Sequence, residues 1–570
     1  MSLRPDNLTL DKLLQGRLFR IPDYQRTYSW ETKQRIDLFG DIEKLASKEN
    51  SERHHFMSTV VCLQTKEKKE VGADEFGIFY IVDGQQRLTT LIILLKALVK
   101  VLRNGSDIEQ KESGKLQELL VKENGRLILL QTNHDSKRLF RNYLEQGEIP
   151  QDIKVETLAE RNMIKAFKEC EDFVQNFPRD HLLLVKLVKN KLDFIFYVLE
   201  DEGAVNTTFE VLNSRGLEVD WLDKCKSIMM GIAFEKLESS TGRECIKELH
   251  EYWSKIYRTI GLNKIQGQEI LRFAATLENS DERRSKISSA ENAMEFFRKK
   301  CEGNPQHVIE VSSKFLDVAE KLEEFVTDPR LKAVNKISHA RLLAVAIKLN
   351  KTLSRSDKKY ILKEWEKVTF RIFGLSRKDS RTKIGDYVRL ARSVFKNTDV
   401  STSEEIVKKV TILGEDFPVS KVADELRETN CYEGWEDELV YFLYRYEEHL
   451  THECGGSISE EVWKQVWTSS PAKTIEHIHP QNINKNWRGK IGTKTDYVKR
   501  QVQRLGNLII LPPEVNSKAS NKSFEDKKEI YRKHRHLKLV DEVIEKEEWN
   551  MEALKEREDR LIAWAKEEWK

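Results

Sequence analysis

The stretch Tyr80-Ile81-Val82-Asp83-Gly84-Gln85-Gln86-Arg87-Leu88-Thr89-Thr90 changes its periodicity in mid-course. Phe76 to Val82 is a short run rich in β-branched and aromatic residues and reads as a strand. From Gln85 the pattern becomes helical, with Leu88, Leu91, Ile92, Leu95 and Leu98 at i, i+3, i+4 spacing. Asp83-Gly84 sits where one hands over to the other. Phe56 to Leu63 reads as an earlier strand, and the charged stretch Lys66 to Asp74 as the hairpin loop between the two. Leu192 to Leu199 is a further strand. It precedes a helix over Val205 to Leu212, a turn at Asn213-Ser214-Arg215-Gly216, and a helix near Trp221 that Asp220 can N-cap.

Beyond this region the strand signals thin out. From about residue 240 to 415 the pattern is mostly amphipathic helices, for example Ser338 to Leu349 and Lys358 to Phe373, with no chemical cluster. This stretch reads as scaffold or a binding platform. The C-terminal region opens with helix around Trp435 to Leu450. Two strand-like pieces follow, Lys473 to His477 and Leu508 to Leu511, and a long charged helix closes the chain. The expected fold class is α+β and predominantly helical, in three parts: residues 1–235, 236–415 and 416–570.

Composition agrees. A chain of 570 residues is too long for one ordinary domain. With 39% hydrophobic and 34% charged residues, 25 Gly and 11 Pro, it suits a helix-rich folded protein rather than a disordered or fibrous one. The most apolar run, Leu91 to Leu102, is broken by Lys96 and Lys100, so no membrane span is expected. Met1 to Leu10 lacks the apolar core of a signal peptide, which makes the cytoplasm the expected compartment. Seven cysteines without a C-x-x-C pair fit neither a disulfide framework nor a zinc knuckle, and read as reduced, mostly buried thiols. The net charge is only +3, but Pro471 to Val540 carries 16 Lys and Arg against 6 Asp and Glu. Asp541 to Lys570 reverses this, with 6 against 11.

Inside the basic block, Thr474-Ile475-Glu476-His477-Ile478-His479-Pro480 is followed by Arg504-Leu505-Gly506-Asn507-Leu508-Ile509-Ile510-Leu511 and then by Val515-Asn516-Ser517-Lys518. This order resembles the HNH, or ββα-metal, nuclease pattern. The combination E-H-I-x-P, L-G-N-L-x-x-L and N-S-K, with Asn521 to Lys527 after it, is more narrowly similar to the C-terminal domain of the GmrSD family. Breaking a phosphodiester needs a base to deprotonate water and a cation to stabilise the leaving oxygen. His477 is the candidate base. The resemblance implies that Glu476 and Asn516 give oxygens to one divalent ion, magnesium or manganese, and that Asn507 holds the loop bearing His477. His479 shares the side of His477 if the segment is extended, and is then placed to meet metal or phosphate. Arg488, Arg504, Lys518 and Lys522, with Lys485, Lys499 and Arg500 and the interleaved Trp487 and Tyr497, are suited to double-stranded DNA. A solvated basic face is the plainer alternative for any one of them.

Ile21-Pro22-Asp23-Tyr24-Gln25-Arg26-Thr27-Tyr28-Ser29-Trp30, the 80–90 stretch and Phe209 to Gly216 resemble the N-terminal domain of the same family, which is similar to ParB-like nucleotide-using α/β folds. The resemblance covers roughly residues 1–235. Asp83-Gly84 at a helix start suits an anion, and Arg87 one turn in suits phosphate. The resemblance implies a nucleoside triphosphate site made from Asp83, Gly84, Gln85, Gln86 and Arg87, with Arg26 and Arg215 completing it and Asp83 in a catalytic role. Asp83 as an ordinary N-cap remains the other reading. Tyr24, Tyr28 and Trp30 are either a stacking platform for a base or core residues.

Taken together, the resemblance implies a modification-dependent restriction endonuclease directed at phage DNA, nucleotide-gated and able to form a homodimer. The phosphorothioate-linked SspE proteins and BrxU are similar. The alternative is a nucleotide-gated DNA-binding regulator whose nuclease motif is inactive.

Overall fold

The computed structural model describes residues 6–22, 25–47, 54–122, 126–131, 136–150, 152–199, 221–237, 239–261, 265–279 and 285–570. The chain divides into two compact units, Met1–Ala275 with Ser289–Glu320, and Thr276–Ser288 with Lys321–Lys570. Helices dominate both, in keeping with the expected α+β, predominantly helical class.

The first unit holds strands β1 (Asp6–Thr9), β2 (Arg17–Ile21), β3 (His55–Val71), β4 (Asp74–Asp83), β5 (Val121–Lys122), β6 (Arg126–Leu127), β7 (Leu129–Gln131) and β8 (Leu192–Leu199). Six of them form one mixed sheet in the order β1-β8-β3-β4-β2-β7, while β5 and β6 pair separately. The central pair β3 and β4 is antiparallel, whereas β8 lies parallel to β3 and β2 parallel to β4. The stretch Lys66 to Val71, expected as loop, is strand. Its charged side chains extend a ribbon in which Lys68 faces Gly77 and Glu70 faces Glu75, and only Gly72 and Ala73 turn the chain. Gly72 has φ +62°, the conformation a two-residue hairpin demands. Polar residues on such a ribbon meet solvent at no cost, so a charge run does not break the strand.

Helix α1 (Gln85–Leu102) leaves the end of β4 as the change of period predicts. It is buried nearly all round, with Ile93 and Leu94 fully covered as well as the expected leucine stripe. It packs against α2 (Leu158–Gln175) within the unit's core. Helix α3 (Trp221–Lys236) begins where the sequence places it. The helix over Val205 to Leu212, the Asn213 to Gly216 turn with Arg215, and Asp220 lie outside the described residues, as do Asp23 and Tyr24.

The second unit contains α4 (Ser338–Leu349), α5 (Arg355–Thr369), α6 (Ile384–Lys396) and α7 (Asp437–Glu453). Next come β9 (Ile475–His477), β10 (Leu508–Ile510), α8 (Pro513–Ala519), α9 (Phe524–Arg532) and α10 (Met551–Glu568). Helix α5 starts ahead of the expected Lys358, because Ser354 caps it and Asp357 completes a capping box. The strand expected from Lys473 begins only at Ile475, since Pro471 sets a helical turn over Pro471–Thr474. Six cysteines are buried and Cys454 is exposed, and none of them forms a disulfide. Among the described residues no helix is long and apolar enough to cross a membrane.

Candidate active site in a strand pair and helix

β9 and β10 pair antiparallel, with His477 opposite Leu508 and Glu476 opposite Ile509. The chain leaves β10 through Leu511 and Pro512 and enters α8, and Asn516 on α8 reaches back to the first strand. Its Nδ2 donates to the carbonyls of Lys473 at 2.8 Å and Ile475 at 3.2 Å. One strand–strand–helix unit therefore gathers Glu476, His477, Asn507 and Asn516. Gly506 has a steric reason: a Cβ there would lie 2.2 Å from the Leu554 carbonyl of α10, so only glycine lets that helix back the connection into β10.

Glu476 and His477 are neighbours in a strand and face opposite sides. His477 is 8% exposed, and its Nε2 lies 2.9 Å from Gln503 Oε1. A carboxamide oxygen only accepts, so this contact puts the proton on Nε2 and leaves Nδ1 as the basic nitrogen. Gln481 Nε2 donates to the same Gln503 oxygen at 3.3 Å, which fixes that amide's orientation. The Gln481 nitrogen is also 3.2 Å from His477 Nε2, where in this tautomer two N–H groups face each other without bonding. The Tyr432 ring meets the imidazole edge to face, with ring centroids 4.4 Å apart. Burial pushes the His477 pKa down to about 4, so the ring is neutral at pH 7.

Glu476 is buried, and its Oε1 accepts from Lys527 Nζ at 2.6 Å and Tyr531 OH at 2.8 Å. Both donors are one turn apart on α9. Lys527 is fully buried and also donates to the His477 carbonyl at 2.7 Å. Burial drives the Glu476 carboxyl up and the Lys527 ammonium down, and their mutual contact opposes both shifts. Glu476 and Asn516, the residues expected to hold a divalent ion, are brought into one unit, with a carboxylate and an amide oxygen as the donors they offer. Two hard oxygens fit an ion that keeps most of its water. Among the described residues no three His, Cys, Asp or Glu side chains cluster as a metal cage.

Asn507 is fully buried and completely bonded. Its Oδ1 accepts from His479 N at 2.8 Å and Trp549 Nε1 at 2.9 Å, and its Nδ2 donates to the carbonyls of His479 and Val502. It grips the chain just past His477 and touches nothing that a substrate could reach, which makes it a positioning residue. His479 does not share the exposed side of His477. Strand β9 stops at residue 477, and His479 is fully buried with both ring nitrogens against the Pro480 and Trp487 carbonyls.

Arg488, Lys518 and Lys522 are exposed and make no ion pair with any described residue, and Lys485, Lys499 and Arg500 are exposed too. Arg504 corrects the expectation for this group: it is 3% exposed and forms a two-pronged pair with Glu558, with Nε 3.1 Å from Oε1 and Nη2 on Oε2. A guanidinium buried and paired in this way is not presented to a phosphate backbone. Trp487 is likewise core, donating to the Lys522 carbonyl at 2.8 Å. The residues that sequence reasoning missed are Gln503, Gln481, Tyr432, Lys527 and Tyr531. Gln481, Lys527 and Gln503 stand within or beside the quoted segments, but none belongs to a residue type whose spacing announces chemistry.

In the first unit, Gly84 has φ +93° and starts α1, and a Cβ there would press on the Thr59 carbonyl and Val60 at 3.1 Å. The amides next to it are structural. Gln85 Nε2 donates to the Arg26 carbonyl at 3.0 Å, while Gln86 accepts from Ser29 N at 2.8 Å and donates to the Thr27 carbonyl at 3.0 Å. With Gln25 donating to the Val82 carbonyl at 2.8 Å, they lash Gln25 to Ser29 onto the start of the helix. Both polar atoms of the Gln86 side chain are thus bonded within the unit, whereas the Gln85 Oε1 is buried without a partner. Tyr28 and Trp30 are core residues, Tyr28 bonded to Thr90 and Trp30 lying beneath the Arg87 guanidinium. Burial lowers the pKa of both Arg26 and Arg87, and Asp83 attracts both. Arg26 is also attracted by the half-buried Asp223 of α3. The two guanidinia and Asp83 thus share one half-buried neighbourhood whose chemistry fits a phosphate group.

Two family models match. Residues 9–230 match the GmrSD restriction endonuclease N-terminal domain, and residues 417–564 match the GmrSD restriction endonuclease C-terminal domain. No curated protein matches the chain. The N-terminal match spans strands β2 to β8 and the Asp83 neighbourhood, the C-terminal match spans the strand pair and helix, and the chain belongs to the GmrSD family of type IV restriction endonucleases.

Proposed function

We propose that this restriction endonuclease cuts DNA by metal-assisted hydrolysis at the β9–β10–α8 unit, working as an HNH-type nuclease with His477 as general base. One observation carries the reading: a buried, neutral imidazole, oriented by Gln503, belongs to the same strand–strand–helix unit as Glu476 and Asn516. His477 Nδ1 takes the proton from the attacking water while Nε2–H stays on Gln503, so the ring cannot turn away as charge develops. Asn507 keeps the strand end at a fixed height. Glu476 Oε2 and Asn516 Oδ1 would hold the magnesium or manganese ion, whose contribution when bound is to stabilise charge on the leaving oxygen. Lys527 and Tyr531 hold Glu476 by Oε1, which fixes the orientation of the carboxylate.

A neutral base at physiological pH has a measurable consequence. A histidine with the ordinary pKa of about 6.5 would lose about tenfold in rate at pH 5.5. Cleavage by this chain is expected to stay close to its neutral-pH rate at pH 5.5 and to fall only as the pH approaches 4. A pH–rate profile under single turnover reads this directly, and an acid limb centred on the ordinary imidazole value would refute the assignment.

For the first unit we propose a nucleoside triphosphate site, with Arg26 and Arg87 on the phosphates, Gly84 at the helix start and Asp83 facing them. Asp83→Ala is expected to abolish nucleotide hydrolysis while DNA binding persists. Unchanged hydrolysis would remove Asp83 from the site. The overall function is tested by incubating modified phage DNA and unmodified plasmid with the full chain and magnesium, with and without nucleotide. Cutting confined to modified DNA supports a modification-dependent enzyme, and binding without cutting supports a regulator.

A further inference from the structure

The second unit contains a cavity of 1060 Å³, remote in sequence from the strand pair. One wall is α5, which lends it Arg355, Lys359, Lys363 and Lys367. These four are spaced at i, i+4, i+8 and i+12 and therefore form one ridge along the helix. At 1.5 Å per residue the ridge runs about 18 Å, roughly half a turn of duplex DNA. Arg355, Lys359 and Lys363 are exposed, and none of the four has an ion-pair partner among the described residues.

The carboxylates around the same cavity are already committed. Glu324 pairs with Lys321 and Lys348 at 2.7 Å each, and Asp328 pairs with Arg330 at 2.8 Å. Glu448 and Glu568 both bind Arg445. Glu366 is buried, bonded by Tyr441 OH at 2.5 Å, and its pKa is pushed up by desolvation. The ridge cations are the charges left over. A row of uncompensated cations at regular spacing attracts a regularly spaced polyanion, and within a restriction endonuclease that polyanion is nucleic acid. The cavity is also lined by α7, which packs against β10 and the Pro471–Thr474 turn. One helix thus lines the cavity and backs the candidate nuclease unit.

We propose that the Arg355–Lys367 ridge of α5 is a track for the phosphate backbone of DNA. It rests on the reading that the chain acts on DNA, and adds a contact surface outside the basic block at Pro471–Val540. Phosphate contacts of this kind set position without reading sequence.

The test is duplex binding by the full chain, followed by fluorescence anisotropy over a salt series in chelator. The protein carries His477→Ala so that no cutting intervenes, and the DNA is a duplex of about three helical turns. Lys359→Gln/Lys363→Gln is expected to flatten the plot of log affinity against log salt by about 1.8, at about 0.9 per lost phosphate contact. Lys408→Gln/Lys409→Gln removes the same charge from exposed positions on the neighbouring helix Ser403–Leu413, and is expected to leave the slope unchanged. An unchanged slope in the α5 variant, or equal changes in both variants, would overturn the track. Without the His477 substitution, and with magnesium present, a chain that binds through the ridge but cuts nothing would remove the nuclease reading and leave the track standing.

Discussion

His477→Ala is expected to leave the fold and DNA affinity in place while slowing cleavage about 10²–10⁴-fold, the range typical of a lost general base. The imidazole bonds to Gln503, whose amide oxygen keeps its contact with Gln481 when the ring is removed. The backbone of residue 477 stays paired with Leu508, and its carbonyl stays on Lys527. The substitution thus removes a proton acceptor from an otherwise intact frame. Single-turnover cleavage should fall, while anisotropy and thermal melting match the wild type. A variant that melted early would mean that the ring is chiefly packing, and one that cut at the wild-type rate would mean that the base lies elsewhere.

The opposite pattern is expected at Arg504. Arg504→Ala leaves the Glu558 carboxylate, 1% exposed, without its guanidinium, and breaking a buried pair from one side typically costs about 3–5 kcal/mol. Arg504 also donates to Gln501 Oε1 at 2.8 Å, so two buried hydrogen bonds and a part-buried one are lost together. Glu558 lies on α10, against the Leu505–Asn507 turn that precedes β10, and the damage should reach the nuclease unit through its support. Chemical denaturation is the measurement. A variant as stable as wild type but weakened in DNA binding would restore Arg504 to the phosphate-contacting group.

These two arginine-and-histidine cases show where sequence reading succeeds and where it stops. The order Glu476-His477, Asn507, Asn516 was legible through its resemblance to a family pattern, and the fold brings these residues into one strand–strand–helix unit. The strand-to-helix change at Asp83-Gly84 was legible because period two and period 3.6 cannot share one stretch. Burial was not. A basic residue beside a motif reads as a phosphate contact until a distant Glu558 turns up to claim it, and pairs far apart in sequence leave no local signal. His479 misled for a related reason: alternation holds only while the strand continues, and β9 ends two residues earlier.

The first unit teaches the same lesson with neutral side chains. Gln85 and Gln86 lie in a stretch that resembles a nucleotide-using domain, yet their amides tie Arg26 to Ser29 onto α1. A glutamine in that position is as useful for bracing a segment as for meeting a ligand, and only the coordinates of its partners separate the two. The charged ribbon at Lys66–Val71 was hidden because strand propensity is judged by apolar content, which an exposed hairpin does not need.

Chemical rescue tests the central assignment most directly. Imidazole added to His477→Ala supplies a proton acceptor without supplying anything else. The expected result is that imidazole restores part of the lost cleavage rate, increasingly as its neutral fraction rises, and does nothing for wild type. Contradiction would be a His477→Ala protein, folded and bound to DNA, that cuts as fast as wild type before any imidazole is added.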